Sequence, residues 1–368
     1  PPIPTPTPEP TATPEPTPTL TPTPAPTPVR EDVRTGNPSD FAMDSPNRWL
    51  YTVDAVNHQV QKFDSKGTLM NAWGSRGGDD GQFLRPNDIA LNVADGWVYV
   101  VDAGNHRVQR FDTRGRFLGS WGGLGSGNGL FNDPVQVVYD SSNEWVYVVD
   151  KGNNRVQRFD TRGRFLGSWG QAGAGNGFFR EPSEIALDST TGWLYVSDTG
   201  NNRIQWFDFR GRFLGLKGKR GSENEQFIDP TSIGVNTDNG WVYVVDQGNN
   251  RIQRFTSRLA FLDVWGSEGS GEGQFQTPGG IAVGPGGNWV YVVDKGNRRV
   301  QRFSSRGVFS LEWGKQGNGQ GQFQAPSAIV VDESGFLYIG DIEVHRVQKF
   351  DDRGNFQWEA VTTVPDGG

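Results

Sequence analysis

A ten-residue pattern, Asp-x-Gly-Asn-x-Arg-Val/Ile-Gln-x-Phe, returns along this chain at an almost fixed interval. Its aspartates stand at Asp54, Asp102, Asp150, Asp198, Asp246, Asp294 and Asp341, spaced by 48 residues five times and by 47 once. A period of this size means that one supersecondary unit is stacked against copies of itself, so residues that keep the period are expected to hold up the architecture. Function is expected where the period breaks.

The second copy shows the internal order: Pro86-Asn87-Asp88-Ile89-Ala90-Leu91, then Trp97-Val98-Tyr99-Val100-Val101-Asp102, then Arg107-Val108-Gln109-Arg110-Phe111, then Arg116-Phe117-Leu118-Gly119-Ser120-Trp121-Gly122. These segments are short, rich in Val, Ile, Phe, Tyr and Trp, and separated by Asp-Gly, Gly-Asn and glycine-rich turns. No stretch of period 3.6 is long enough for a helix. The reading is four antiparallel strands per repeat, repeated radially, which makes an all-β chain and a β-propeller.

The run from a Pro before an Ile-Ala-Leu strand, through Val-Tyr-Val-x-Asp and Gly-Asn-x-Arg-Val-Gln-x-Phe, to Gly-x-Phe resembles the NHL repeat. The resemblance covers residues 38 to 358. That family is often six-bladed, but seven sets of four strands are present, from Phe41-Ala42-Met43 to Phe356-Gln357-Trp358. The expected fold is a seven-bladed propeller of four-stranded antiparallel blades over residues 35–368, preceded by an extended Pro/Thr-rich tail over residues 1–34.

Residues 1 to 28 are almost entirely Pro and Thr. Such a segment has too few apolar residues to build a core, lacks many backbone donors, and favours polyproline II. At about 3.1 Å per residue it would reach on the order of 90 Å. Thr/Pro stretches of this kind are typical O-glycosylated stalks, which makes Thr5, Thr7, Thr11, Thr13, Thr17, Thr19, Thr21, Thr23 and Thr27 the candidate acceptors; an unmodified spacer is the alternative. Either reading places the propeller outside the cytoplasm.

Composition narrows the function. A formal net charge of −7 offers no electrostatic footprint for nucleic acid, although the NHL resemblance allows RNA binding through a basic face. With no cysteine there is no disulfide, thiolate metal site or Cys nucleophile. No apolar run approaches the length of a membrane span. The glycine-rich joints, such as Gly125-Ser126-Gly127-Asn128-Gly129, lack a following Gly-Lys-Ser/Thr and read as connectors between blades, not as phosphate loops.

The periodic residues read as scaffold. Asp150, Asn153 and Arg155 exemplify a carboxylate at a strand end that takes up turn amides and a guanidinium. Trp49, Trp97, Trp145, Trp193, Trp241 and Trp289 open the second strand, with Phe336 in the last blade. Trp73, Trp121, Trp169, Trp265 and Trp313 close the fourth strand, and both sets are sized to wedge between blades, a sugar-stacking surface being the rival reading. Lys217 replaces the closing Trp in blade 4 and Trp358 falls two residues early in blade 7, so the outer strand is expected to be irregular in both.

Two sets break the period at one mouth of the channel. Two residues after the Pro stand Asp40, Asp88, Gln136, Glu184, Ser232, Gly280 and Ala328. The oxygen-bearing members form candidate ligands for Ca²⁺ or another cation, because hard cations need several converging oxygens; caps on local turns are the alternative. The chain's three histidines, His58, His106 and His345, occupy one turn slot in neighbouring blades, where the other blades carry Asn154, Asn202, Asn250 and Arg298. They are weak zinc candidates, since equivalent turns diverge from the axis while zinc ligands must converge to about 2.0–2.1 Å.

The expected function is a non-catalytic, extracellular interaction or structural module at a microbial cell surface. Its partners would be copies of itself, joined through the tail into a fibre or surface layer, or glycans. The alternatives are a metal-dependent lyase or hydrolase at the channel mouth and a carbohydrate-binding propeller.

Overall fold

The computed structural model describes Pro1, Pro2 and residues 41–361. Asp40 and the candidate acceptors Thr5, Thr7, Thr11, Thr13, Thr17, Thr19, Thr21, Thr23 and Thr27 lie outside the described residues. The repeat region forms seven four-stranded antiparallel sheets, each built from strands consecutive in sequence. Blade 1 runs Phe41–Asp44, Trp49–Asp54, Gln59–Phe63 and Leu69–Trp73. Blade 7 runs Pro326–Val331, Leu337–Asp341, Arg346–Phe350 and Phe356–Val361. Because the strands alternate in direction, the turns between first and second and between third and fourth strands share one face. The turns between second and third strands share the other face with the blade-to-blade connectors.

The second strand explains why the core lies between blades. Its Val-Tyr-Val-Val run alternates, so Val98 and Val100 pack with Tyr51, Val53 and Val60 of blade 1, while Tyr99 and Val101 pack with Val146 and Val148 of blade 3. Four of the second-strand tyrosines also send their phenol across the junction. The Oη atoms of Tyr99, Tyr147, Tyr195 and Tyr243 donate to the carbonyls of Thr161, Phe209, Ser257 and Ser305 at 2.7–3.0 Å.

The closing Trp of each blade sits on the glycine of the next blade's outer turn. A Cβ on Gly115 would lie 2.6 Å from the Trp73 ring, and one on Gly163 would lie 2.4 Å from Trp121. Both glycines also have positive φ, +77° and +85°, so the position suits glycine twice over. The ring closes the same way, with Trp358 over Gly67 and its Nε1 donating to Ser65 O at 2.9 Å. Two residues along a strand return to the same face, so the early position of Trp358 leaves the wedge intact.

The irregularity expected in blades 4 and 7 is not in strand pairing. Phe213–Lys217 and Phe356–Val361 pair with their third strands through the same bulge seen in the other blades. The departure is in the wedge: where Lys217 replaces Trp, the facing glycine of blade 5 has become Leu259. Leu259 is 1 % exposed and is held at φ +54°. A larger turn residue fills the volume that the missing indole leaves.

Candidate functional site

The connector face gathers the repeated Asp, the histidine slot and the first-strand variable position. In blade 3 the Asp150 carboxylate is fully buried. Its Oδ1 accepts the Asn132 N–H at 2.8 Å, and its Oδ2 accepts from Arg155 Nε at 2.7 Å, Asn153 Nδ2 at 2.9 Å and Gln157 Nε2 at 3.1 Å. Arg155 then donates to the carbonyls of Ser126, Gly127 and Leu130, and Gln157 Oε1 accepts the Gly129 N–H. The glycine-rich connector, short of polar side chains of its own, thus has its backbone groups satisfied by the blade it enters. In blade 1 the Arg position holds Gln59.

Two of the three histidines do the work of asparagines. His58 Nδ1 accepts the Arg85 N–H and His106 Nδ1 accepts the Asp133 N–H, both at 3.1 Å. In the same slot, Asn154, Asn202 and Asn250 use Oδ1 to accept from Glu181, Asp229 and Thr277 at 2.7–3.1 Å. All these residues, with Arg298 and His345, have φ between 48° and 56°, which favours Asn and tolerates His. Burial, and then the charge of Arg76, holds the His58 imidazole below the ordinary histidine range, in keeping with an acceptor nitrogen. His345 lines a small cleft with Phe41, Thr52, Asp341 and Arg346.

The first-strand acids and amide act as staples between blades. Asp88 Oδ2 accepts the Val137 N–H at 2.6 Å, Gln136 Oε1 accepts the Ile185 N–H, and Glu184 Oε1 accepts the Ile233 N–H at 3.0 Å and the Ser232 hydroxyl at 3.3 Å. Each backbone N–H so held lies 49 residues ahead, in the next blade. Ser232, Gly280 and Ala328 continue the series with short side chains. At Gly280 the strands are so close that a Cβ would meet Ser327 O at 2.7 Å. Among the described residues, no three His, Asp or Glu side chains are grouped to hold a metal ion. Asp88, Gln136, Glu184, His58 and His106 are spread over blades 1 to 4, and His345 lies in blade 7.

The tryptophans are half-buried without exception among the thirteen. Those opening the second strand, Trp193 excepted, lie under a cation that also reaches the next blade. Arg158 is 4.1 Å from the Trp145 ring and donates to Phe209 O at 3.1 Å, and Arg110, Arg254 and Arg302 repeat the arrangement over Trp97, Trp241 and Trp289. Sequence reading missed this stack, although its pattern is legible: Lys62, Arg110, Arg158, Arg254, Arg302 and Lys349 each directly precede the strand-ending Phe, and Trp206 breaks the series.

Seven radially arranged four-stranded sheets, joined by glycine-rich connectors and clamped in blades 2 to 6 by a full Asp-Asn-Arg-Gln set, define the class as a β-propeller. Residues 83–111 match the family described as NHL repeat, and residues 130–217 match one described as 6-bladed beta-propeller. The chain is a β-propeller with seven blades, and one stretch of it matches the NHL repeat. No curated protein matches the sequence. Among solved structures, Kuenenia stuttgartiensis hydrazine synthase is similar at 14% identity and a TM-score of 0.65, over 86% of this chain and 95% of that one. A streptogramin B lyase is similar at 13% and 0.64, over 83% and 90%. Virginiamycin B lyase from Staphylococcus aureus is similar at 14% and 0.58, over 76% and 85%. At such identities the likeness is one of fold.

Proposed function

We propose that this protein is a non-catalytic interaction or structural module outside the cytoplasm, at a microbial cell surface. The Pro/Thr-rich residues 1–34 would serve as a stalk, glycosylated on its threonines, through which one propeller joins the next. The observation that carries this reading is how the residues breaking the period at the channel mouth are used. His58 and His106 hold connectors, and Asp88, Gln136 and Glu184 hold the neighbouring blade. A heterologous tail-to-propeller contact does not close on itself and so propagates into a fibre or layer.

Electron microscopy of the protein from its natural source, beside a version lacking residues 1–34, tests the proposal. Filaments or ordered arrays that vanish with the tail are expected. Dispersed single rings in both samples would overturn it.

A further inference from the structure

The turns between third and fourth strands carry a charge pattern that the fold does not need. One position is cationic and exposed in every blade: Lys66, Arg114, Arg162, Arg210, Arg258, Arg306 and Arg353. In blades 1, 2, 3, 4 and 7 the turn also opens on an aspartate, and Asp112 shows its use, accepting the backbone N–H groups of Arg114 and Arg116 at 2.9 Å. One cation and one carboxylate would leave such a turn neutral.

Blades 2 to 6 depart from neutrality by two routes. In blades 2 to 4 a second arginine is added, Arg116, Arg164 and Arg212. Each keeps Nε 3.1 Å from its aspartate, yet its side chain is 77, 78 and 76% exposed. In blades 5 and 6 the acid is lost. Thr256 Oγ1 and Ser304 Oγ take over its turn bonds, to Ala260 N at 3.1 Å and Val308 N at 3.2 Å, leaving Arg258 and Arg306 uncompensated. Five consecutive turns therefore each carry one excess positive charge in a chain of net charge −7. Blade 1 balances Lys66 with Asp64, and in blade 7 Asp351 and Asp352 outweigh Arg353.

We infer that the outer turns of blades 2 to 6 form a binding track for a linear acidic polysaccharide, carboxylated or sulfated. The inference rests on the reading of the protein as an interaction module, and supplies one partner's chemistry. One exposed charge per blade along an arc fits a partner whose own charges repeat along a chain. A planar anionic membrane fits less well, because the inner turns on the same face carry the exposed acids Asp95, Glu144, Asp238 and Glu333. Single-stranded nucleic acid needs aromatic planes for its bases. The one aromatic within these turns, Phe209, is half-buried, with its ring 5.7 Å from Trp145 and Arg210 above it.

Binding of the full chain to polygalacturonate, dextran sulfate, poly(U) and phosphatidylglycerol vesicles, at about 50 and about 300 mM salt, tests the track. Polygalacturonate or dextran sulfate is expected to bind tightest and to weaken with salt. The combined variant Arg114→Glu, Arg162→Glu and Arg210→Glu should bind about tenfold or more weakly at an unchanged Tm. Lys219→Glu with Arg220→Glu, in a connector on the opposite face, should bind like wild type. The inference is overturned if wild type binds neither polysaccharide at the lower salt, if poly(U) or vesicles bind tighter, or if the triple variant binds unchanged. Failure here with intact filaments removes the track alone. Loss of filament formation with polysaccharide binding intact removes the assembly reading alone.

Discussion

The two faces of the propeller depart from the repeat in different ways. On the connector face the departures are answered by partners: His58 and His106 accept the N–H that Asn accepts in the same slot of other blades, and Asp88, Gln136 and Glu184 each take an amide of the next blade. On the opposite face, the added arginines and the lost aspartates of the outer turns leave charge facing solvent. A break in period is therefore no sign of function by itself. On both faces the turn and blade contacts are kept, by Thr256, Ser304 and the arginine–aspartate pairs on the outer turns, but only the outer turns are left with an excess charge facing solvent.

Removing one carboxylate from each face gives the largest expected contrast. Asp150→Ala strips a fully buried acceptor from Arg155, Asn153, Gln157 and the Asn132 amide. It should destabilise by about 3–5 kcal/mol, because a buried charge is left unpaired. Asp112→Ala, in an exposed turn, should cost about 1 kcal/mol or less. Urea unfolding midpoints of the two variants measure the difference, and equal losses would erase the distinction between the faces.

The junction between blades 4 and 5 supplies a transplant. Trp121→Lys alone should cost about 3 kcal/mol or more through the lost wedge. Gly163→Leu alone should also destabilise, since its Cβ would fall 2.4 Å from the indole. Together they recreate the Lys217 and Leu259 pairing two junctions away, and a double-mutant cycle should return a favourable coupling of about 1–3 kcal/mol. Strict additivity would mean that Leu259 does not fill the vacancy at Lys217.

The period and strand alternation made the blade count, the strand order and the scaffold role of the Asp-Asn-Arg set legible before any coordinates. Leu259 was legible too, as the one non-glycine in the column of Gly67, Gly115, Gly163, Gly211, Gly307 and Gly354, but its meaning was not. The residue it answers, Lys217, lies 42 positions away and across a blade boundary, and such contacts leave no local signature. The same reason hid the acceptors: nothing adjacent to His58 or Glu184 in sequence shows that each meets an amide of another segment. The outer-turn charges were visible residue by residue, and became an arc once the strand order placed them on one face.

A smaller effect is expected in the pH dependence of His58. Its folded pKa lies below the unfolded value of about 6.5, so the unfolded chain takes up the proton more readily. The stabilisation is fully present above that pH and is lost as pH falls from there through the folded pKa. His58→Asn keeps an acceptor without a titration, so the drop in Tm between about pH 7.5 and 5.5 should be smaller in the variant. An identical drop would mean that the imidazole does not act as the acceptor for Arg85.

Glu184→Gln should have the smallest effect, and it bears on the metal-dependent lyase or hydrolase alternative and on calcium binding. The adjacent blade already carries this chemistry: Gln136 holds the Ile185 N–H with an amide oxygen as Glu184 holds that of Ile233 with a carboxylate. If the position serves as a staple, the variant keeps its acceptor and Tm should move by no more than about 0.5 kcal/mol equivalent. If it serves a cation, the lost charge should abolish a calcium-induced rise in Tm present in wild type, since hard cations bind through carboxylate charge as well as oxygen count. An unchanged Tm with no calcium response in either protein leaves the connector face as scaffold and the outer turns as the surface to probe.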